Sequence, residues 1–325
     1  MPRTLVALLA LLAVSATAAC AHHPRPTDHL FPEVTAMGHR GAAGLAPENT
    51  LTAFRKARSL GVAFELDTFI AGSGELIVLH DDELERLAMV PGRASELSLA
   101  YLRTLDFGAH FDRSFAGEPI TTLDEVFAEI AGDVVINVEV KAPKGTDTTR
   151  LAAAVVATIE AHGLTDRVII TSFNPFLLGK IRAENPDIAR GQLVATFADS
   201  DLRWYEKALL KRLAFNRRAV PDVLSVEHVM IDRRFLKKMH RRGYKVFAWT
   251  VNEAEEMDRL LELGVDGIIT DFPDRLLEVM RARGLPTPAA TPATIAAPTD
   301  DAEPRTGADE AAPTRSDDDA EPPAE

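Results

Sequence analysis

The amino-acid sequence predicts an α/β fold: a (β/α)8 TIM barrel with an insertion between the second strand and the second helix. Eight short apolar runs alternate with helical patterns between residues 33 and 284, as in repeated β-α units. The runs are almost continuously apolar, which is typical of parallel strands buried on both faces. A segment of about 250 residues is also the usual size of one such barrel.

The predicted strands are spaced widely enough for a helix to follow each one, as parallel connections require. The strands are residues 34–37, 62–69, 134–140, 168–171, 192–195, 223–226, 245–250 and 267–270. The helices are residues 51–60, 124–130, 148–162, 175–183, 202–213, 234–242, 253–263 and 274–283. Thr122 and Glu125 form a capping box at the start of the second helix.

One apolar run, residues 76–80, does not fit this repeat. Only residues 70–75 separate it from the second strand, whereas a parallel crossover needs about a dozen residues. We therefore expect an antiparallel hairpin that turns at Gly72-Ser73-Gly74. A turn centred there brings Glu65 opposite His80, within one residue, and leaves residues 82–120 as the insertion.

Residues 1–20 have the composition of a signal peptide: Arg3, an apolar run over residues 5–14, and small residues before Cys20. The apolar run is shorter than the ~20 residues that span a bilayer. Cys20 is the only cysteine, so an intrachain disulfide is impossible, and its position favours a bacterial lipoprotein signal. Ordinary secretion with cleavage near Ala18 or Ala21 is the alternative. Either reading predicts export to the cell envelope, periplasmic or tethered to a membrane through lipidated Cys20.

The barrel domain is expected at residues 33–284, after a polar linker at residues 21–32. Residues 285–325 form an acidic tail rich in Pro and Ala, with ten acidic and two basic residues, and we expect it to be disordered. The whole chain has a net charge of −13, which argues against nucleic-acid binding.

Three carboxylates are expected at the carboxyl ends of the barrel strands, where function gathers in this fold. Glu65 and Asp67 are two apart on one strand and therefore share a face, and Glu139 ends the next barrel strand. Converging carboxylates repel one another unless a cation lies among them, and oxygen ligands suit Ca²⁺ or Mg²⁺. The alternative is a set of structural ion pairs with Arg40 and Lys141.

Arg40 and Lys141 bring positive charge to the same strand ends. With a metal they would form a receptor for an oxyanion such as phosphate. His39 and His80 could act as general base and acid, because imidazole titrates near neutrality. Alone, either His could equally be an ordinary polar residue at a strand end.

Several neighbouring residues have simpler interpretations. The run at residues 47–50 is a helix start, although Glu48 and Asn49 could also hold His39 in place. Glu227 and His228 are expected to be solvated or structural, and Asp271 is expected to cap a helix.

The ordered set of motifs resembles the glycerophosphodiester phosphodiesterase family from about residue 36 to residue 273. The motifs are Gly38-His39-Arg40-Gly41, Pro47-Glu48-Asn49-Thr50, Glu65-x-Asp67, His80-Asp81, Glu139-x-Lys141, Trp249-Thr250-Val251-Asn252 and the run DGIITDFP at residues 266–273. Residues 94–120 resemble the family's insertion. Residues 70–74 and 86–89 depart from the family's usual sequence, which bears on substrate preference.

The resemblance implies hydrolysis of a small-molecule glycerophosphodiester to sn-glycerol 3-phosphate and an alcohol on a TIM barrel. It implies a divalent cofactor, Ca²⁺ or Mg²⁺. The implied metal ligands are Glu65, Asp67 and Glu139, the acid/base pair is His39 and His80, the phosphate contacts are Arg40 and Lys141, and the pocket walls are Phe173 and Trp249.

Two other functions are compatible with these motifs. A lysophospholipase D, or another lipid-directed phosphodiesterase, could use the same barrel, but residues 82–120 contain only scattered Leu and Phe. A non-catalytic envelope protein that binds phosphoesters is the other, and the complete set of acid/base and carboxylate residues argues against it. The sequence leaves the oligomeric state and the head group open.

Overall fold

The computed structural model describes residues 24–130, 134–197 and 203–289. Within these ranges ten strands form one sheet, and eight of them are parallel and close into a barrel. The first and last strands pair in parallel, and the first also pairs with the second, so the ring is complete. The predicted (β/α)8 barrel is confirmed.

The strands and helices are numbered in chain order. The strands are β1 (Thr35–Gly38), β2 (Ala63–Ile70), β3 (Leu76–Val78), β4 (Thr121–Thr122), β5 (Ile136–Val140), β6 (Val168–Ser172), β7 (Ala189–Val194), β8 (Val223–Glu227), β9 (Lys245–Trp249) and β10 (Gly267–Thr270). The helices are α1 (Leu51–Ser59), α2 (Glu85–Ala88), α3 (Leu99–Leu102), α4 (Leu123–Ile130), α5 (Thr148–Ala161), α6 (Pro175–Glu184), α7 (Trp204–Lys211), α8 (Asn216–Ala219), α9 (Arg233–His240), α10 (Ala254–Leu263) and α11 (Pro273–Ala282).

The predicted hairpin is present, with β3 antiparallel to β2 and β4 antiparallel to β3. Thr68 lies opposite Val78, and the Leu79 amide donates to the Asp67 carbonyl at 3.1 Å. Extended by two residues beyond Val78, this register places His80 opposite Leu66, one position from the predicted partner Glu65. The hairpin therefore brings His80 towards the Asp67 end of the carboxylate cluster.

Two predicted elements differ from the structure. Strand β7 begins at Ala189, three residues before its predicted start, and it includes the buried Arg190. A charged residue interrupts the apolar pattern, so sequence periodicity missed this part of the strand. The single helix predicted over residues 202–213 is the shorter helix α7, and a second helix, α8, follows it. The capping box is confirmed, because the Glu125 carboxylate accepts from the Thr122 amide at 2.9 Å and Thr122 Oγ1 accepts from the Glu125 amide at 3.2 Å.

The insertion has its own apolar core. Phe69 and Ile77 of the hairpin pack with Leu84, Leu102 and Phe107 of the insertion in a cluster separate from the main one. The large apolar residues of the insertion are therefore mostly used in packing. This packing positions residues 80–86 at one edge of the barrel opening.

The predicted linker packs against the barrel in its described part. Leu30 and Phe31 are buried, and the Phe31 ring meets Phe247 edge-on with 4.7 Å between ring centroids. These residues cover the amino ends of the barrel strands, which we call the floor. The sequence signal for this packing is weak because only two large apolar residues stand among prolines and polar side chains.

No helix in the described ranges is long and apolar enough to cross a membrane. The predicted signal peptide, residues 1–20, and the predicted tail from residue 290 onward lie outside the described residues.

Candidate active site

The three predicted carboxylates lie together at the carboxyl ends of the barrel strands, which we call the mouth. Asp67 on β2 is in register with Glu139 on β5, and Glu65 precedes Asp67 by two residues. One oxygen from each lies within 4.8 Å of the others. Glu65 and Asp67 are 4 % and 1 % exposed. Because residues two apart on a strand point to the same face, Glu65 and Asp67 form a compact, buried acidic site with Glu139.

The hydrogen bonds of this cluster leave capacity for a cation. Glu65 Oε2 accepts from the Arg40 amide at 2.8 Å, whereas Glu65 Oε1 has no hydrogen-bond partner among the described residues. Burial, with repulsion from Asp67 and Glu139, raises the pKa of Glu65 well above its ordinary value. A buried carboxylate with an unpaired oxygen beside two others fits a divalent cation that prefers oxygen ligands. The cluster is therefore a candidate metal site.

Lys141 and Arg40 approach the same carboxylates. Lys141 Nζ donates to Glu139 Oε1 at 2.9 Å and lies 3.2 Å from Asp67 Oδ1, while Arg40 Nε lies 3.6 Å from Asp67 Oδ2. Burial alone would raise the pKa of Asp67, but Lys141, His80 and Arg40 lower it below its ordinary value. The predicted ion pairs are thus present, yet they leave Glu65 Oε1 unpaired.

His39 is oriented by Asp271, which directly follows the last barrel strand and is remote in the sequence but adjacent at the mouth. Its Nδ1 lies 2.7 Å from Asp271 Oδ1, and Asn252 Nδ2 donates to Asp271 Oδ2 at 2.6 Å. The prediction that Asp271 caps a helix is wrong, because Phe272 holds the N-cap position of α11 and Asp271 pairs with His39. The two residues meet only because the barrel closes, which sets Gly38 of the first strand beside Thr270 of the last strand.

His80 has a local carboxylate partner. Its Nδ1 lies 2.5 Å from Asp81 Oδ1, and Arg86 Nε donates to Asp81 Oδ2 at 2.5 Å. Burial lowers the pKa of His80, and nearby Lys141 and Arg40 act in the same direction. The two predicted histidines thus each have Nδ1 against an aspartate, which leaves Nε2 available to face a substrate.

Glu48 and Asn49 were expected to hold His39 in place, but their hydrogen bonds go to other residues. Glu48 Oε1 accepts from Arg40 at 2.6 Å and from Arg86 at 2.7 Å, so it links these two guanidinium groups. Asn49 Nδ2 donates to Asp67 Oδ2 at 2.9 Å. Thr50 is the N-cap of α1, as expected from the helix-start interpretation.

Aromatic side chains line one side of the mouth. The Phe173 and Trp249 rings, both predicted pocket walls, lie 5.7 Å apart in an edge-to-face arrangement. Phe197, which the sequence analysis missed, packs edge-on against Phe173 at 5.8 Å. The sequence offers one indication of this role: Phe197 comes three residues after the end of β7, and residues that follow barrel strands lie at the mouth.

Comparison with known proteins decides the family. The model of the glycerophosphoryl diester phosphodiesterase family matches residues 39–275. The chain belongs to this family of enzymes. The matched range includes every predicted site residue, from His39 to Trp249.

The match with this chain extends over nearly the full length of several named relatives. A glycerophosphodiester phosphodiesterase of Caldanaerobacter subterraneus subsp. tengcongensis is 32 % identical over 255 residues, covering 76 % of this chain and 98 % of the relative. A phosphodiesterase of Oleispira antarctica, solved in complex with the product sn-glycerol-3-phosphate, is 28 % identical with a TM-score of 0.68 and covers 77 % of this chain and 97 % of its own. A glycerophosphodiester phosphodiesterase of Thermotoga maritima is 26 % identical with a TM-score of 0.57, covering 75 % and 98 %.

Two polar residues at the end of β8, Glu227 and His228, have structural partners, as expected from the sequence. Glu227 accepts hydrogen bonds from the amide and the hydroxyl of Thr196. His228 Nδ1 lies 2.6 Å from Glu256 Oε1. Both therefore connect segments that follow neighbouring barrel strands, β7 with β8 and β8 with β9.

Proposed function

We propose that this chain hydrolyses glycerophosphodiesters to sn-glycerol 3-phosphate and an alcohol, with a divalent cation at Glu65, Asp67 and Glu139 and acid/base catalysis by His39 and His80. The observation that carries the proposal is the buried carboxylate cluster with the unpaired Glu65 Oε1. Family membership supports a diester substrate. The product-bound relative from Oleispira antarctica supports sn-glycerol 3-phosphate as the product.

The three carboxylates are the ligands that we assign to Ca²⁺ or Mg²⁺. When bound, such a cation polarises phosphoryl oxygens and offsets the charge that develops on them. Arg40 and Lys141 border the same cluster, and we assign them to the phosphate. Glu48 bonds to Arg40, which limits the rotation of the guanidinium before substrate binds.

The histidines act through their free nitrogens. With Nδ1 donating to Asp271, His39 presents a basic Nε2, and His80 does the same through Asp81. One imidazole enters the reaction neutral and takes the proton from the attacking oxygen on its Nε2. The other enters as the imidazolium and gives its Nε2 proton to the leaving alcohol oxygen. The aspartates keep each ring in one tautomer and stabilise the imidazolium that forms.

Soluble diesters suit this site better than a lysophospholipase D substrate. A lipid chain needs an apolar wall, but the insertion directs Leu84, Leu102 and Phe107 into its own core. Its exposed large apolar residues, Met89, Tyr101 and Phe111, are scattered. We therefore expect glycerophosphocholine to be turned over faster than lysophosphatidylcholine.

The test is release of glycerol 3-phosphate from glycerophosphocholine by the wild type before and after EDTA treatment. We expect chelation to abolish activity and added Ca²⁺ or Mg²⁺ to restore it. His39→Ala and His80→Ala should each lower kcat by about 10²–10⁴-fold. The control is Glu83→Gln, an exposed carboxylate of the insertion that pairs with Arg93, which should retain full activity.

Full activity after chelation would overturn the metal assignment. Full activity in both histidine variants would overturn the acid/base assignment. Turnover of lysophosphatidylcholine in preference to glycerophosphocholine would favour the lipid-directed alternative.

We also propose that the protein is exported and tethered through lipidated Cys20, as the sequence of residues 1–20 suggests. Incorporation of labelled fatty acid into the wild type but not into Cys20→Ser, followed by cell fractionation, tests the tether. Label in both proteins, or the protein in the cytoplasmic fraction, contradicts the proposal.

A further inference from the structure

Helix α7 is unlike the other long helices of the barrel because none of its residues is buried. Trp204 is 80 % exposed, and Tyr205 and Leu209 are also exposed. Helix α8, which follows α7, takes the place against α6 that the repeat predicts for a barrel helix. Helix α7 is therefore an addition to the fold, and it presents large apolar side chains to solvent.

The segment that contains α7 begins and ends at the mouth. Before it, Phe197 packs against the pocket residue Phe173. After it, Phe215 packs against Phe176 with 5.4 Å between ring centroids, and Phe176 is the second residue of α6. Helices that follow barrel strands begin at the mouth, so both contacts lie on the rim of the active site.

The charge of this region is opposite to that of the whole protein. Residues 203–218 contain six Lys or Arg residues and one acidic residue, whereas the complete chain has a net charge of −13. Arg203, Lys211 and Arg212 are exposed beside the apolar side chains of α7. Exposed Trp, Tyr and Leu among basic residues are the composition of helices that lie in the interface of anionic membranes.

We propose that α7 is an interfacial docking element that binds a phospholipid surface with anionic head groups. Trp204, Tyr205 and Leu209 enter the head-group region, and the surrounding Lys and Arg residues pair with lipid phosphates. Docking in this way holds the rim of the active site against the source of lipid-derived diesters. It is independent of the catalytic assignment, because α7 contains none of the site residues.

Docking through α7 is also distinct from the proposed lipid tether. The chain enters the barrel at the floor, where Arg25 donates to Asp222 and Phe31 packs against Phe247. Helix α7, in contrast, belongs to a segment that begins and ends at the mouth. The proposed docking through α7 does not involve the segment that precedes the floor, so α7 can be tested in a chain that has no lipid.

The test uses the unlipidated chain from Ala21, which includes every described residue, and measures co-flotation with two kinds of vesicle. One kind contains phosphatidylcholine alone, and the other contains phosphatidylcholine mixed with phosphatidylglycerol. We expect binding to the anionic vesicles that weakens with salt, because Lys and Arg residues near the surface contribute a factor of about five each. Trp204 fluorescence should shift to the blue on binding, and Trp204→Ala/Leu209→Ala should lower the partition constant by at least about tenfold.

The matched control compares two basic helices. Lys211→Ala/Arg212→Ala on α7 should weaken binding by about twenty-five-fold. Lys237→Ala/Lys238→Ala removes the same charge from α9, which docks on the barrel through Leu236 and Met239, and should leave binding nearly unchanged. Hydrolysis of glycerophosphocholine in solution should be equal in all of these proteins.

Failure of the wild type to bind anionic vesicles overturns the proposal. Equal losses in the α7 and α9 variants overturn it too, because they indicate attraction by overall charge. If instead the wild type self-associates and Trp204→Ala/Leu209→Ala does not, α7 is a protein interface and the lipid assignment is wrong.

Discussion

The two ends of the barrel each bury charged groups, but they pair them differently. At the floor, Asp222 accepts hydrogen bonds on both oxygens: Oδ1 from the amide and Nε of Arg25, and Oδ2 from Arg25 and from the Arg190 amide. At the mouth, Glu65 Oε1 has no partner among the described residues, and burial with its acidic neighbours raises the pKa of Glu65.

This difference separates stability from function. A buried carboxylate whose hydrogen bonds are all made stabilises the folded chain. A buried carboxylate with an unpaired oxygen is stabilised only when a ligand binds to it. In TIM barrels the strand ends at the mouth carry the chemistry and those at the floor carry stability. The two charged clusters of this chain follow that division, and substitutions at the two ends should have opposite effects.

The largest effect is expected at the mouth. Glu65→Gln should lower kcat/KM by at least about a thousandfold, because it removes a proposed metal ligand. In EDTA the same variant should be as stable as the wild type or more stable, because repulsion from Asp67 and Glu139 is relieved. Steady-state kinetics and thermal unfolding check both parts. A large loss of stability would show that Glu65 is a structural residue and would remove the contrast between the ends.

The positioning of the histidines is the next test. Asp271→Asn should lower kcat by about 10²–10⁴-fold, because the His39 ring loses the carboxylate that fixes its tautomer. The pH profile of kcat should change with it, which a purely structural role would not cause. Asn252→Ala should have a smaller effect in the same direction, since it removes only the bond to Asp271 Oδ2. An unchanged pH profile in Asp271→Asn contradicts this role.

The floor should show the reverse pattern. Asp222→Asn should lower the free energy of unfolding by about 3–5 kcal/mol, because it leaves Arg190 buried beside a neutral partner. Its kcat should be that of the wild type. Equal unfolding free energies at neutral pH, or a fall in kcat at full stability, contradict the assignment.

The same variant has a defined pH dependence. Although burial opposes it, Arg25 and Arg190 lower the pKa of Asp222 in the folded state. The stabilisation is therefore complete above the unfolded pKa of about 3.9 and is lost as the pH falls through the lower folded pKa. Denaturant unfolding of both proteins from neutral to acidic pH should show the difference shrinking only at the acidic end.

The smallest effect is expected from the apolar part of the floor. Phe31→Leu should lower the free energy of unfolding by about 1 kcal/mol, because the buried edge-to-face contact with Phe247 is lost while most volume is kept. Activity should not change. Phe111→Leu, at a residue that is 39 % exposed, is the control and should have almost no effect.

Sequence reasoning predicted the barrel from short-range patterns, and the rule that strand ends meet at one face of a barrel then placed Glu139 with Glu65 and Asp67. Glu65 and Asp67 share a face by spacing alone, and each apolar strand is followed by a helix in the sequence. It missed Asp271 as a partner of His39 because that contact depends on two strands far apart in the chain. It missed the packing of Phe31 for the same reason, since Phe247 is equally remote.

The contact between His39 and Asp271 joins residues that are 232 positions apart. The ribosome makes His39 early and Asp271 nearly last, and domains generally fold as units. An unfinished chain can contain Glu65, Asp67, Glu139 and both histidines and still lack the carboxylate that orients one imidazole. Activity should therefore appear only once strand β10 has closed the ring, so the last strand to be made completes the site assembled by the earlier ones.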